Sequence, residues 1–466
     1  MGMKNKLFKN VTIETVAAEG KCIARIDGLT VFVEGVAPGD IVDLKIIRKK
    51  KSYLEGKVAT FHSFSNLREE PFCKHFGLCG GCKWQHLNYQ HQVEAKRQQI
   101  IDNFERIGKL EFPEVNPIIS SKKTIYYRNK LEFTFSNKRW LSSEEIASVE
   151  KINRSGLGFH IPKQFDKIVD INKCYLQKDP SNEIRNSIRN FAVQHHLSFY
   201  DINNFQGLLR NLIIRTSSTD QLMVIVQFGE HDEQNIHRVM EYTQTSFPQI
   251  NSLYYVVNLK KNETFHDLEL ILYSGKQFIE EKIGGLTFKV GPKSFFQTNT
   301  EQTEKLYAKA TQMARLTGNE TVYDLYTGTG TIANYIAPNA QKVIGIETIK
   351  EAIDDAKENT KLNNITNCTF ISGDIEETLN SEIFKTYGIP DVIITDPPRA
   401  GMHRDVLETI LQAKPKRIIY ISCNPATQAR DLAILTTKYR IIEVQPFDMF
   451  PHTHHLENIV SLKLKD

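Results

Sequence analysis

The sequence predicts an α/β protein whose carboxyl-terminal part is a doubly wound, Rossmann-like domain, preceded by a small OB-like β-barrel and a central α+β segment. Three observations carry that expectation. From residue 284 onward, apolar runs at 321–325, 342–347, 368–373, 391–396, 417–422 and 440–445 alternate with helical patterns, which predicts a parallel sheet with helices on both faces. The first 62 residues instead hold five short strand-like runs separated by turn residues. Between the two, Cys73, Cys79 and Cys82 fall within ten residues. The units are 1–62, 63–283 and 284–466, in keeping with a chain of 466 residues.

Composition narrows the function classes. Hydrophobic residues make up 40% of the chain and charged residues 24%, the balance of a soluble globular protein. No apolar run approaches the ~18 residues of a membrane span. Residues 1–6 lack an apolar stretch behind their lysines, so no export signal and a cytoplasmic location are expected. Seven cysteines in that compartment point to metal ligation, catalysis or packing instead of disulfides. Net charge is +4, and residues 1–60 account for all of it, with 11 Lys or Arg against 7 Asp or Glu. A basic module on a neutral body suits a polyanion such as nucleic acid, although a solvated basic edge has the same composition.

The amino-terminal runs at 11–15, 22–26, 29–33, 41–47 and 54–61 are cut by Glu19-Gly20, Asp27-Gly28 and Pro38-Gly39-Asp40. At the tip Arg48-Lys49-Lys50-Lys51-Ser52-Tyr53, basic side chains adjoin an aromatic ring, a pairing suited to gripping phosphates and stacking a base. Lysines that only deter strand aggregation give the same pattern. Ala17-Ala18-Glu19-Gly20-Lys21-Cys22-Ile23-Ala24-Arg25 and Val33-Glu34-Gly35-Val36-Ala37-Pro38-Gly39-Asp40 resemble the TRAM domain of RNA-modifying enzymes.

Next, Cys73, Cys79, Gly80, Gly81 and Cys82 form a tight loop able to converge thiolates on one centre, its glycines relieving backbone strain. Cys174 is the nearest candidate for a fourth ligand. Paired C-x2-C knuckles would favour zinc, whereas C-x5-C-x2-C with one remote cysteine favours an iron–sulfur cluster. Residues 88–108 predict an amphipathic helix capped by Asn88, with Tyr89, Val93, Ile100, Ile101, Phe104 and Ile107 on one face and Gly108 at its end. Within 124–280, the runs 126–133 and 209–215 mix cations with apolar alternation. They predict either RNA-facing strands or amphipathic sheet edges.

In the last unit, parallel strands bring their carboxyl ends to one rim, where open α/β sheets bind ligands. The first strand gives Asp324-Leu-Tyr326-Thr-Gly328-Thr-Gly330, a Gly-rich turn opening a helix but short of the full G-x-G-x-x-G. The second ends on Glu347, placed to bind ribose hydroxyls. The third ends on Ser372-Gly373-Asp374, suited to an adenine amine, and the fourth on Asp396-Pro397-Pro398-Arg399. The fifth ends on Cys423, ahead of the turn Asn424-Pro425. A lone cysteine there would ordinarily be packed core, but this company favours a nucleophile. The short turn with its downstream Glu favours S-adenosylmethionine over a dinucleotide, and Arg399, where amine methylators carry an aromatic, argues against an amine acceptor.

These motifs, with Ser294-Phe295-Phe296-Gln297-Thr298-Asn299 and Pro451-His-Thr-His-His-Leu-Glu457, resemble the RNA uracil-5-methyltransferases of the 23S ribosomal RNA branch over nearly the whole chain. The resemblance implies Cys423 as nucleophile and Glu457 as general base, with Gln297, Tyr326, Glu347 and Asp396 lining the donor site. It implies a [4Fe-4S] cluster on Cys73, Cys79, Cys82 and Cys174. His452, His454 and His455 also invite a metal reading, which only Glu457 would complete. The same reaction on transfer RNA, and a non-catalytic RNA-binding assembly factor, are the competing expectations.

Overall fold

The computed structural model describes residues 5–148 and 152–466; residues 1–4, part of the stretch inspected for an export signal, lie outside the described residues. Six strands form the first sheet, in the order Leu7–Thr12, Ile41–Lys49, Tyr53–Ser63, Leu29–Val33, Cys22–Ile26 and Thr15–Val16. Alternate residues face inward, so Ala24, Val31, Val33, Val42, Leu44, Ile46 and Leu54 make a core without solvent exposure. Asp27 and Gly28 both take positive φ, the geometry that closes a two-residue hairpin. The first strand starts at Leu7, earlier than the pattern predicts, and its pairing shifts register around Asn10 (φ 53°).

The central sheet has seven strands, ordered Ile271–Gly275, Ser252–Val257, Leu222–Phe228, Leu209–Thr216, Lys130–Ser136, Gly156–Ile161 and Gln164–Asp170. Leu209–Thr216 is buried at every residue, which corrects both readings of its cations. The Arg210 guanidinium donates to the carbonyls of Asn258, Lys260 and Asn262 at 2.6–2.7 Å. That of Arg215 donates to the Ser294 carbonyl at 2.8 Å. A central strand has no free edge and no solvent face, so these cations anchor loops instead of meeting phosphates.

The last sheet runs Cys368–Ser372, Lys342–Glu347, Thr321–Leu325, Val392–Thr395, Arg417–Ser422, Glu457–Leu464 and Tyr439–Phe447. Its first five strands are parallel, as predicted. The seventh in sequence, Glu457–Leu464, is inserted antiparallel between Arg417–Ser422 and Tyr439–Phe447. The sheet is therefore mixed. The two faces bury different clusters. Ile419 and Ile421 pack with Leu306, Ala310, Ile332 and Ile353 on one side, while Ile418 and Tyr420 pack with Ile375, Val406, Leu407 and Leu432 on the other. The first of these cores also takes in Ile213, Met223 and Ile225 of the central sheet, so the two sheets share one interior.

The helix Tyr89–Asn103 is capped by Asn88, whose side chain accepts from His91 N–H at 3.0 Å, and it ends in a single π turn, Phe104–Gly108. Ile100 and Phe104 join the core of the last sheet. Ile107 is 51% exposed, while Gln92 and Lys96 are buried, so its inward face is more polar than the periodicity predicts. Among the described residues, no helix is long and apolar enough to cross a membrane.

Candidate active site and cysteine centre

The rim begins at the buried strand Thr321–Leu325. Asp324, fully buried, accepts from Thr327 Oγ1 (2.5 Å) and from the Ala333 N–H (3.1 Å) at the start of the following helix. The carboxylate thus braces the Gly-rich turn, and burial raises its pKa to about 7. Gly330 takes φ 73°, and a Cβ there would meet Ala356, Asn334 and Phe370 at 2.9–3.0 Å. Gly328 faces open space, as a ligand cradle requires. Its N–H donates to Glu347 Oε2 and the Ile349 N–H to Glu347 Oε1, both at 3.1 Å, which aims Glu347 at the turn. Tyr326, at φ 63°, is half-buried beside it. Asp374 is exposed and caps a short helix.

Strand pairing brings Cys423 and Glu457 together. Ser422 lies opposite Asn458, so the next residues outward, Cys423 and Glu457, are neighbours across the antiparallel pair. Gln428 clamps that register, donating to the carbonyls of Tyr420 (3.0 Å) and Asn458 (3.3 Å) while accepting from Asn458 Nδ2 (2.8 Å). Asn424 caps the next helix and donates to the Arg399 carbonyl at 3.0 Å, as does Thr427 Oγ1 at 3.1 Å. The loop after Asp396 is thereby fixed against the cysteine. Burial first, then the charges of Glu457 and Asp396, push the Cys423 thiol up to about 11; Arg399 opposes them. Glu457 is 4% exposed with Oε2 unpartnered, and burial with the charge of Asp396 raises its pKa well above the usual range. Burial likewise raises Asp396 to about 7.

Gln297 reaches the same rim, its Nε2 lying 3.5 Å from Asp396 Oδ2. Asn129 of the central segment holds this loop by donating from Nδ2 to the Gln297 carbonyl (2.9 Å) and from its backbone N–H to the Thr298 carbonyl (2.8 Å). The sequence-predicted residues Gln297, Tyr326, Glu347, Asp396, Cys423 and Glu457 therefore lie along one rim of the last sheet. Asp324, Asn129 and Gln428 also build it, and no motif in the sequence marks Asn129 or Gln428. Asp324 alone had a signal, standing at the end of the first strand.

Cys73, Cys79, Cys82 and Cys174 line one pocket with Phe76, Phe159 and Leu176. Among the described residues, no three of these thiols lie mutually within 4.8 Å. Tetrahedral thiolates on a single zinc ion stand about 3.8 Å apart, given a Zn–S bond near 2.3 Å. A single zinc ion would require these thiols to stand closer together. Burial raises Cys79 and Cys82 to about 12 and raises Cys174, so a cationic centre is what would ionise them. Arg185, buried beside Cys174, keeps Nη1 without a partner, a positive complement to an anionic thiolate set. The three histidines of the late loop do not converge. His454 and His455 pack ring to ring, and His452 turns toward Phe72. Among the described residues, the ligand atoms that do meet are those of Glu376, His403 and Asp405, all exposed.

A TRAM domain model matches residues 9–59, and a tRNA (Uracil-5-)-methyltransferase model matches residues 274–465. An uncharacterized RNA methyltransferase of Bacteroides thetaiotaomicron is 54% identical over 454 residues, covering 97% of this chain and 100% of its own. One from Staphylococcus aureus is 35% identical over 460 residues, covering 98% of each chain. Among solved structures, the tRNA (uracil-54, C5)-methyltransferase of Pyrococcus abyssi in complex with S-adenosyl-L-homocysteine is similar. It matches with a TM-score of 0.74 and 28% identity, over 97% of this chain and 99% of its own.

Proposed function

Because the chain belongs to the RNA methyltransferases that join a TRAM domain to a uracil-5-methyltransferase domain, we propose that it methylates C5 of a uridine through a covalent adduct on Cys423. The single observation that carries the reading is the strand pairing that sets Cys423 beside Glu457, on the rim that holds the Gly-rich turn. Uracil C5 is a weak nucleophile. The Cys423 thiolate adds to C6, and the displaced π electrons pass through C5 to the O4 enolate. C5 then takes the methyl group from the sulfonium donor, whose S–C bond breaks. Glu457 removes the C5 proton, the C5–C6 double bond re-forms, and the thiolate leaves. A carboxylate with a raised pKa is suited to that proton transfer near neutral pH. Gln297, Tyr326, Glu347 and Asp396 would hold the donor. The base reaches the rim by flipping out of its stack.

In this reading residues 1–62 grip RNA, 63–283 carry a [4Fe-4S] cluster on Cys73, Cys79, Cys82 and Cys174, and 284–466 perform the transfer. Such a cluster cross-links the loop to the central sheet. The substrate we propose is 23S ribosomal RNA, on the strength of the TRAM segment and the cysteine set. The similarity to an archaeal tRNA (uracil-54, C5)-methyltransferase favours transfer RNA as the second reading. Mapping 5-methyluridine in both RNA pools of a deletion strain separates them. The mechanism is tested with RNA carrying 5-fluorouridine, which forms the adduct but has no C5 proton to lose. We expect a slow band on denaturing gels with the link on Cys423, none with Cys423→Ala, and accumulation on ordinary RNA with Glu457→Gln. A link on Cys368, or no adduct with either reagent, would sink the mechanism.

A further inference from the structure

The loop 451–456 leads into Glu457, the first residue of its strand, and has no regular secondary structure of its own, so its shape is imposed from outside. His452 takes φ 65°, a left-handed conformation that a non-glycine residue keeps only where its surroundings enforce it. Three groups from residues 83–92 enforce it. The His452 N–H donates to Gln92 Oε1 at 2.9 Å. Its carbonyl accepts from the N–H groups of Lys83 (2.9 Å) and Trp84 (3.0 Å). Gln92 Nε2 donates in turn to the carbonyls of Trp84 (2.9 Å) and Leu87 (2.7 Å) and lies 3.3 Å from His452 Nδ1. One amide, 1% exposed, ties the helix Tyr89–Asn103, the turn after Cys82 and the loop together. The position passes on along the loop. Thr453 Oγ1 donates to the Phe450 carbonyl (2.8 Å) and accepts from the His455 N–H (3.2 Å), and Leu456 is buried in the core.

We propose that Gln92 is a positioning residue for proton removal, fixing the loop that presents Glu457; this rests on the reading of Glu457 as the base. Gln92 touches no part of the donor crevice, so its loss leaves Cys423 and the Gly-rich turn in place. The consequence is a defect at one step. In Gln92→Leu the adduct forms and accepts the methyl group, while release of the C5 proton slows.

The experiment uses the full chain and RNA tritiated at uridine C5. Expected for Gln92→Leu are tritium release slowed roughly 10–100-fold, a methylated protein–RNA adduct on denaturing gels, and an unchanged KM for the methyl donor. Hydrogen exchange at the His452 amide should quicken, a readout independent of turnover. Gln92→Asn keeps the amide but shortens its reach. It should move each quantity the same way by less, and it serves if the leucine variant does not fold. Glu457→Gln is the reference. If it accumulates adduct and neither Gln92 variant does, the clamp is overturned while the base assignment stands. If Glu457→Gln accumulates none, the base assignment falls and the clamp with it.

Discussion

Cys423, the proposed nucleophile, is held as a thiol, and its neighbours decide how firmly. Burial and the charges of Glu457 and Asp396 raise it to about 11, and Arg399 pulls it back. Removing an anion eases deprotonation, whereas removing a cation hinders it. Glu457→Gln should therefore shift the pH profile of Cys423 alkylation by iodoacetamide downward, and Arg399→Ala should shift it upward. A shift of one unit changes the rate below the midpoint by about tenfold. Peptide mass spectrometry of Cys423 across pH reads both. Coincident profiles for the two variants and the parent chain would show that these charges do not govern the thiol. Cys423 was legible from sequence because a strand ending in Cys-Asn-Pro is a local pattern. Glu457 came only from resemblance. Gln92 stands off the apolar face that the periodicity marks on its helix, and only the fold shows it buried.

At the scale of elements, local periodicity located the five parallel strands and left the sixth neighbour unseen. Glu457–Leu464 is buried over its first six residues instead of alternating, and it lies beside Arg417–Ser422 through contacts no local pattern encodes. The same limit misplaced the cations of Leu209–Thr216, since an arginine in an apolar run looks alike at an edge and in the middle of a sheet. The cysteine loop was more legible, because thiol spacing is itself a chemical pattern. Its proposed cluster predicts that anaerobically purified protein holds iron and acid-labile sulfide in equal amounts. Cys174→Ser should lose both. Donor affinity by equilibrium dialysis should stay unchanged, because the turn Asp324–Gly330 and Glu347 share no residue with the cysteine pocket. Stoichiometric zinc without sulfide would overturn the cluster.

The whole molecule is drawn together by residues far apart in sequence. Lys96 and Asp448, both without solvent exposure, form an ion pair at 2.5 Å across 352 positions. Lys96 Nζ also donates to the Phe450 carbonyl (3.0 Å), and Asp448 accepts from Tyr89 OH (2.7 Å) and the Phe450 N–H (3.1 Å). With every partner present the group is satisfied, but removal of the cation leaves a buried carboxylate without its counter-charge. Lys96→Met should therefore cost roughly 3–5 kcal/mol, read as a fall in the denaturant midpoint. The double variant Lys96→Met with Asp448→Asn removes both charges and should recover part of that loss, because two neutral groups need less compensation than one stranded ion. The loop 451–456, which leads into Glu457, begins three residues after Asp448, so the single variant should also lose methyl transfer out of proportion to its folded fraction. If Lys96→Met is as stable as the parent chain, the pair is not what holds the carboxyl-terminal strands to the helix Tyr89–Asn103. The burial of Ile100 and Phe104 among Tyr439, Val444, Val460 and Leu462 would then supply that attachment.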